Sequence, residues 1–448
     1  MFPKAALFVL AFANAALLSS AAVIVPGATW TDTSGNVIQA HGGGILKVNS
    51  TWYWHGEDKT HNSNLFRASP DLTTWTRQND ALTPIAGGML STGNIVERPK
   101  VIYNRNTGEY VMWFHSDSNN YGAAQVGVAV ARTPCGPFTY RSSFRPLNAE
   151  SRDMGIFVDD DAAQTAYLLY ASDNNQNFKI SRLDANYYNV VTQVAVISRS
   201  TFESPGIIKR NGIYHLFVSK TTGWDPNANK VVTASSLSGP WSAESDIAPR
   251  NTRTYFSQNT FNLPISQNFA IYMGDRWRPS LLGSSRYMWY PMTWSNGNLP
   301  QIVASDVWSV DSASGTYTAA QGTTYEAERG SMSGGARLLN NTAFSGGTCV
   351  GYLGNGGSLT LNNVQGIGAD QWISLYYANA DSTWRNTTVS ANGGAAVRVD
   401  QPNTGGGTVV LSVPVKLFLR SGANTLTFSA GQSNWAADLD KIVVYTAT

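Results

Sequence analysis

The chain reads Glu203-Ser-Pro-Gly-Ile-Ile-Lys209 and, after a turn, Asn211-Gly-Ile-Tyr-His-Leu-Phe-Val218. The same pair of apolar runs follows Glu97, Asp153 and, more loosely, Gln258. An earlier copy begins at Gly44. Five repeats at spacings of roughly 50 to 57 residues, each with about four short strands, are typical of a β-propeller.

Polar side chains open four of these repeats at the same point: Glu97, Asp153, Glu203 and Gln258. The first strand of each propeller blade lines the central channel, so these side chains are expected to converge. Close carboxylates repel, which raises a carboxyl pKa towards the working range of a general acid. A single acid before a strand is more often a solvated turn residue. Three at one phase favour a glycosidase site.

Composition limits the classes of partner. The chain has 31 basic and 29 acidic residues, so its net charge of +2 gives no reason to expect nucleic acid or an anionic membrane. A neutral polymer suits its 14 Trp and 20 Tyr better. Cys135 and Cys349 are expected to be unpaired, and the protein is expected to be a monomer.

The chain ends differ from its middle. Lys4, the apolar run from Ala5 to Leu18 and the small residues after it predict a signal peptide over residues 1–22, hence a secreted protein with no membrane span. We expect a propeller over residues 23–310, a linker over 311–323, and an all-β sandwich of jelly-roll type over 324–448.

The repeats resemble glycoside hydrolase family 43 from Val23 to roughly Val310, most specifically at Glu203-Ser-Pro-Gly-Ile-Ile-Lys and Asp153-Met-Gly-Ile-Phe-Val-Asp-Asp-Asp. The resemblance implies a five-bladed propeller and an inverting mechanism. It implies that Glu203 is the general acid, and that Asp153 tunes its pKa and holds its orientation.

The first repeat departs from that family. Typical members read His-Asp-Pro-Ser-Ile-Ile, with the aspartate as general base, whereas this chain reads His41-Gly-Gly-Gly-Ile-Leu46. The departure resembles the fungal exo-β-1,3-galactanases of the family, which implies action on the β-1,3-galactan main chain of arabinogalactan. Glu97 and Gln258 remain to hold the water. We place the water on Gln258 and expect Glu97 to hold substrate hydroxyls.

Loops after second strands supply further candidates for the channel mouth. Those expected to touch substrate are Tyr121, Asn174, Asn175, Thr222, Trp224 and Glu57, with His55 and Asp58 beside Glu57. Asp159-Asp160-Asp161 looks like a metal motif, but an exposed hairpin turn is the favoured interpretation.

The second domain resembles carbohydrate-binding module family 35 through Tyr325-Glu-Ala-Glu328 and Asp438-Leu-Asp-Lys-Ile-Val-Val-Tyr445. The resemblance implies a structural calcium held by Glu326, Glu328 and Asp440. The alternative is surface acids without metal. Candidate sugar-binding residues are Tyr352, Arg385, Trp435 and Asp438, with Trp384 as a weaker one. None of these residues is needed for catalysis, for which no cofactor is expected.

The function expected is thus a secreted, inverting exo-β-1,3-galactanase with an appended galactan-binding module. Another exo-glycosidase of the same family, a β-xylosidase or α-arabinofuranosidase, is the nearer alternative. A propeller lectin without catalytic activity is the other, since it explains the missing base but leaves three axial acids unexplained.

Overall fold

A computed structural model describes residues 22–446 except 61, 62, 70, 295, 296 and 298, and gives only the backbone of 63–69. The expected signal peptide therefore lies outside the described residues, apart from Ala22. Within the described part of the chain, no helix is long and apolar enough to cross a membrane.

The first part of the chain forms five antiparallel sheets of four strands, each in sequence order. The first two contain β1 (His41–Val48), β2 (Thr51–Asp58), β3 (Ser63–Ser69), β4 (Thr76–Arg77), then β5 (Ile95–Asn104), β6 (Glu109–Asp117), β7 (Gln125–Ala131) and β8 (Thr139–Phe144). The third and fourth contain β9 (Met154–Val158), β10 (Ala166–Ser172), β11 (Asn177–Leu183), β12 (Val190–Ile197), then β13 (Phe202–Arg210), β14 (Ile213–Lys220), β15 (Lys230–Ala234) and β16 (Ser245–Asp246). The fifth contains β17 (Gln258–Ser266), β18 (Phe269–Arg276), β19 (Arg286–Thr293) and β20 (Gln301–Ile302).

The first strands of the five sheets contact one another in the cyclic order β1, β5, β9, β13, β17, and β17 contacts β1 again. The closure between the last and first sheets is reinforced by a bridge between Ile24 and Trp308. It also contains the buried pair of His41 Nδ1 and Asp275 Oδ1, 2.8 Å apart. Because the ring closes, the starts of the first strands lie around one axis.

A β-bulge interrupts the first strand in four of the five sheets, at His41/Gly44, Glu97/Lys100, Glu203/Gly206 and Asn259/Phe261. Three residues at these bulges have a left-handed backbone, with φ of 60° at Gly42, 58° at Arg98 and 55° at Ser204. Bulges redirect side chains, and here they lie directly beside the residues expected to converge.

The segment expected to be a linker, residues 311–323, contains strands instead. β21 (Trp308–Asp311) pairs with β22 (Thr316–Ala319), and β23 (Gly322–Glu326) follows at once. The Tyr317 ring lies 5.1 Å from the Phe269 ring. This apolar contact fixes the hairpin on the fifth sheet, so the small residues around it form turns and not a flexible tether.

The second domain consists of two facing sheets around one apolar core. One sheet joins β23, β25 (Arg337–Asn340), β26 (Thr348–Gly351), β28 (Ala369–Ala378), β31 (Leu411–Leu419) and β33 (Asp438–Tyr445). The other joins β24 (Ser331–Ser333), β27 (Ser358–Gly366), β29 (Arg385–Ala391), β30 (Val397–Gln401) and β32 (Gly422–Ala430). Alternating burial along β31 and β32 confirms strands with one face in the core.

Short helical turns occur only between strands of the described chain. Five are 3₁₀ turns, at Pro146–Asn148, Arg250–Thr252, Leu282–Ser284, Ala327–Arg329 and Ser345–Gly347. The sixth, Arg253–Phe256, is left-handed, with φ between 51° and 56° at all four residues.

The two domains are docked. Asp306, just after the fifth sheet, accepts hydrogen bonds from the hydroxyls of Tyr376 (2.6 Å), Ser412 (2.7 Å) and Tyr445 (3.0 Å) of the second domain. Phe256 from the left-handed turn is buried in the core of the sandwich. An apolar anchor and a shared carboxylate thus hold the second domain against the first.

Candidate active site

A cavity of about 360 Å³ lies where the first strands begin. All four residues expected to converge line it, and so do most of the other predicted contacts. The lining residues used below are Glu57, Lys59, Glu97, Arg98, His115, Tyr121, Arg152, Asp153, Asn174, Asn175, Glu203, Thr221, Trp224, Gln258 and Trp277.

Glu203 begins the fourth sheet and faces Asp153 and Gln258 inside this cavity. Burial, then the negative charge of Asp153, raises the pKa of Glu203 to about 8. Its Oε1 accepts a hydrogen bond from Gln258 Nε2 at 2.8 Å. A carboxyl that keeps its proton at neutral pH can act as a general acid.

Asp153 is held by the neighbouring sheets. Its Oδ2 lies 2.9 Å from Arg98 Nη2 and accepts hydrogen bonds from the Ser204 amide (3.1 Å) and hydroxyl (2.9 Å). The contact with Ser204 ties Asp153 to the strand that carries Glu203. Asp153 is therefore placed to influence Glu203 by charge and by position.

Gln258 has a complete set of hydrogen bonds. Its Oε1 accepts from Arg98 Nη2 and from Trp277 Nε1, both at 2.8 Å. Its Nε2 donates to Glu203 and to Ser219 Oγ at 3.1 Å. Two obligatory donors at the oxygen define which end of the amide faces Glu203. Gln258 can therefore contact a water molecule only by exchanging one of these bonds.

Glu97 is surrounded by cations. Its Oε1 lies 3.0 Å from Lys59 Nζ, and its Oε2 lies 3.5 Å from His115 Nδ1. Burial alone would raise the pKa of Glu97, but the charges of Lys59 and His115 outweigh burial and hold that pKa well below its ordinary range. Glu97 is thus a weak base that accepts hydrogen bonds well.

The His115 ring is charged in this arrangement. Burial opposes the charge, but Asp117, 2.9 Å from Nε2, and Glu97 raise the pKa of His115 to about 9. Within the described residues, Glu97, His115 and Asp153 are the only His, Cys, Asp and Glu trio whose ligand atoms all lie within 4.8 Å. Lys59 and Arg98 already balance the two carboxylates, so this cluster needs no metal.

Glu57 explains the glycine at position 42. A Cβ added to Gly42 would lie 1.9 Å from Glu57 Oε1. The Glu57 carboxylate, on the second strand, therefore fills the space that a side chain from the first strand would take. Glu57 is 3% exposed, accepts a hydrogen bond from the Arg98 amide (2.8 Å) and pairs with Lys59. Burial raises its pKa, although Lys59 opposes the shift.

The cavity walls include Tyr121, Asn174, Asn175 and Trp224, as expected. Thr222 is not among the lining residues. The Thr222 hydroxyl donates to the Asp225 carbonyl (2.6 Å) and accepts from Asn227 Nδ2 (2.8 Å). Both partners belong to the loop that contains Thr222. The adjacent Thr221 lines the cavity instead.

Sequence analysis did not identify Lys59, Arg98, His115, Arg152 or Trp277. A repeated signal was present, because charged residues lie one or two positions before the ends of the second strands, at Glu57, His115 and Asp275. These pair in register with His41, Glu97 and Gln258. The Asp159-Asp160-Asp161 stretch does lie in the turn between β9 and β10, and Asp159 accepts hydrogen bonds from Lys209 and Tyr214. The hairpin turn is confirmed, and Asp160 and Asp161 are exposed as expected, but Asp159 is buried.

Two of the four sugar-binding candidates of the second domain, Tyr352 and Trp435, are in ring contact at 5.4 Å. Arg385 Nη1 donates to the Ala436 carbonyl at 3.1 Å, and burial raises the pKa of Asp438 to about 6 against the opposing charge of Arg385. Trp384 lies elsewhere, against Phe256 at 6.0 Å.

The three acids expected to bind calcium are joined by one loop. Ser345 donates from its amide to Asp440 (2.8 Å) and from its hydroxyl to Glu326 (2.9 Å). A Cβ on the next residue, Gly346, would lie 2.8 Å from Glu328 Oε1. Glu326 Oε2 and Glu328 Oε2 are buried without a hydrogen-bond partner, and burial raises the pKa of Asp440 to about 6. Buried, unsatisfied carboxylate oxygens fit a hard cation in chemistry, but the three acids do not bring one ligand atom each within 4.8 Å of the others.

Comparison with known protein families gave separate matches for the first and the second domain. Residues 40–262 match the family model of glycosyl hydrolases family 43, and residues 364–444 match a model described as the CBM13 domain of alpha-galactosidase. A comparison with curated proteins gave no match.

Among solved structures, an exo-β-1,3-galactanase from Phanerochaete chrysosporium is 65% identical, covering 94% of this chain and 100% of its own, with a TM-score of 0.92. Its structures contain β-1,3-galactotriose or galactose. An exo-β-1,3-galactanase from Clostridium thermocellum is 25% identical over 93% of this chain and 100% of its own, with a TM-score of 0.64.

A family 35 carbohydrate-binding module, also from Clostridium thermocellum, is 30% identical over 28% of this chain and 98% of its own. Its TM-score of 0.27 adds no argument from the fold.

Proposed function

This chain belongs to glycosyl hydrolases family 43, and we propose that it is an exo-β-1,3-galactanase that releases galactose from the β-1,3-galactan main chain of arabinogalactan. The observation that carries this proposal is the 65% identity, over the full length of the relative, to a galactanase whose structures hold galactose and galactotriose. The convergence of Glu203, Asp153, Glu97 and Gln258 in one cavity supports it independently.

The proposed mechanism inverts the anomeric centre. Glu203, protonated because of its raised pKa, donates its proton to the glycosidic oxygen as the bond to the leaving sugar breaks. Asp153 raises the pKa of Glu203 and anchors it through Ser204. Glu97, kept ionised by Lys59, accepts hydrogen bonds from sugar hydroxyls.

The attacking water is proposed to lie on Gln258, on the other side of the sugar from Glu203. An ordinary carboxamide is a very poor proton acceptor, so Gln258 either orients the water through its oxygen, with the water's proton passing to solvent, or takes that proton at its nitrogen as the imidic acid tautomer and later returns it to solvent. Arg98 and Trp277 keep the amide in one orientation. Tyr121, Asn174, Asn175, Trp224 and Glu57 form the walls that hold the galactan.

We make further proposals on the fold, the second domain, calcium and localisation. The five sheets are inferred to be the blades of a propeller, and the second domain to be a jelly roll that binds galactan at Tyr352, Arg385, Trp435 and Asp438. We place a structural calcium at Glu326, Glu328 and Asp440. The protein is proposed to be secreted and monomeric.

The calcium proposal has a direct test. Chelator should lower the melting temperature of the protein, and added Ca²⁺ should restore it, because an ion bound only by the folded state stabilises that state. A Glu328→Gln variant should lose most of this response. A melting temperature that chelator does not change would count against the site.

The galactanase proposal is tested by incubating the protein with linear β-1,3-galactan and following the released sugar by NMR. The first product should be galactose in the α form, because inversion at a β linkage gives α. A β product would contradict the inverting mechanism. Faster cleavage of aryl xylosides or arabinofuranosides than of galactan would favour the other exo-glycosidases, and binding without hydrolysis would favour the lectin.

A further inference from the structure

A second cavity, of about 490 Å³, lies between the two domains. Its size is within the range of ~300 to 1,000 Å³ usual for small-molecule sites. Its lining comes from the segment before the first sheet (Gly27 to Thr31), from the fifth sheet and from the sandwich. Its charged lining residues are Arg276, Arg278, Arg286, Arg398, Lys416 and Asp400.

The positive charge of this cleft exceeds its negative charge. Asp400 is the one acid in the lining, and it already pairs with Arg278 Nη1 at 2.6 Å and with Arg398 Nε at 3.2 Å. Five cationic side chains therefore share a single carboxylate. Docking of the domains through Asp400 needs two of them at most.

Arg276 and Arg286 have no carboxylate within salt-bridge distance among the described residues. Arg276, only 3% exposed, donates to the carbonyls of Tyr255 (2.9 Å) and Phe256 (3.4 Å). Arg286 donates to the carbonyls of Ser284 (2.8 Å) and Ser285 (3.2 Å). Burial lowers the pKa of Arg286, although Asp400 opposes the shift. Partly buried cations without a counter-ion are costly, and an anion in the cleft would relieve the cost.

The rest of the lining suits a sugar ring. Trp384 and Trp372 stand in the wall, with Arg278 5.3 Å from the first ring and Lys416 5.2 Å from the second. Val397, Pro402 and Pro414 add apolar surface. Guanidinium groups match the two oxygens of a carboxylate, and mixed polar and aromatic walls hold the ring that carries it.

We propose that this interdomain cleft binds a sugar that carries a carboxylate, that is, a uronic acid residue. The site is separate from the cavity of Glu203 and from the sandwich edge at Tyr352 and Trp435. The inference rests on the proposed function for one point only, namely that the protein meets such a sugar as part of a polysaccharide. Because the cleft lies between the two domains, it could bind uronic acid units of the polysaccharide.

The test is direct binding to the full-length protein with methyl β-glucuronide, measured by calorimetry and by NMR. The matched neutral probe is methyl β-glucoside, and inorganic phosphate is the third probe. We expect the glucuronide to bind, with the neutral glycoside and phosphate both weaker by about tenfold or more, the effect of one charge-assisted hydrogen bond.

Variants locate the site. Arg286→Gln should weaken glucuronide binding by about tenfold. The double variant Arg398→Gln/Lys416→Gln changes two exposed side chains and should weaken it similarly without affecting folding. Arg420→Gln, an exposed arginine of the sandwich outside the cleft, is the control and should bind as the wild type does.

Three outcomes would overturn the proposal. They are equal binding of glucuronide and glucoside, equal binding of phosphate and glucuronide, and full affinity in both cleft variants. None of them depends on hydrolysis of galactan, so failure of this proposal and failure of the galactanase proposal are distinguishable.

Discussion

Glu203 and Glu97 differ in the charges around them, because at Glu203 burial and Asp153 outweigh the opposing charge of Arg98. Glu97 has Lys59 and His115 next to it, whereas Glu203 has Asp153, and their pKa values are shifted in opposite directions. The two acids are therefore suited to different tasks, one to donate a proton and the other to hold substrate.

The first prediction concerns Glu203→Gln, which keeps the shape of the side chain but has no proton to donate. Hydrolysis of galactan should fall by the ~10² to 10⁴ that general acid catalysis supplies. Binding of β-1,3-galactotriose, measured by calorimetry, should persist. A variant that keeps a substantial fraction of wild-type kcat would show that the acid is another residue.

A second prediction follows from the charge of Asp153. The acid must be protonated, so kcat/KM should decline as pH rises through about 8, the pKa of Glu203. Asp153→Asn removes the charge that helps to raise this pKa, and the decline should therefore begin at lower pH. The exposed Asp160→Asn is the control. A decline that stays in place, or moves to higher pH, would contradict the assigned role.

The third prediction distinguishes the groups that can place the water. Gln258→Ala should lose most activity with little loss of binding, and azide should restore turnover by filling the vacated space and forming the α-galactosyl azide. Glu97→Ala and Glu57→Ala are the parallel variants, to be compared by NMR of the product. Rescue in Glu97→Ala alone would make Glu97 the base, and rescue in Glu57→Ala alone would make Glu57 the base.

Strand β1 shows how one element accommodates the absent side chain. Its bulge at His41/Gly44 gives Gly42 a φ of 60°, and the second strand supplies Glu57 to the space beside it. Gly42 and Glu57 therefore depend on each other, because a side chain at position 42 would overlap the Glu57 carboxylate.

The fourth prediction tests that arrangement. Gly42→Ala should be destabilising by ~1 to 3 kcal/mol for the backbone alone, plus the cost of moving Glu57. Gly212→Ala is the matched control, since Gly212 has a φ of 75° and open space around its Cβ. The free energy of unfolding in urea should fall more for Gly42→Ala than for Gly212→Ala. This excess loss should disappear when Gly42→Ala is made in the Glu57→Ala background, that is, in the double variant. Additive losses in the double variant would refute the contact.

The two domains are docked against each other and are not joined only by a flexible linker. The hairpin of β21 and β22, the Asp306 carboxylate and the buried Phe256 all link the two parts. Separation would leave Phe256 and three tyrosine or serine hydroxyls without their partners, so each domain should be less stable alone.

The fifth prediction concerns truncation. Residues 23–320 should hydrolyse short β-1,3-galacto-oligosaccharides at nearly the full-length rate and lose efficiency mainly on polymer, where a binding module raises effective concentration. Their melting temperature should fall below that of the full chain. Residues 23–310, which lack β22 and the Tyr317 contact with Phe269, should melt lower still. Equal melting of all three would contradict the docking described here.

Sequence by itself determined the features that repeat along the chain. Strand alternation, the spacing of the five units and the phase of Glu97, Asp153, Glu203 and Gln258 are local patterns, and these predicted five sheets and one cavity lined by all four residues. The change of composition after residue 310 predicted a second all-β domain for the same reason.

Tertiary structure decided which groups meet. Lys59 reaches Glu97, Arg98 spans from Asp153 to Gln258, and Glu57 occupies the space beside Gly42, because bulges turn these side chains and the closed ring brings distant strands together. A difference of one residue put Thr221 and not Thr222 in the cavity. The cationic cleft exists only where two domains dock. Such contacts join residues far apart in the chain, where local periodicity carries no information.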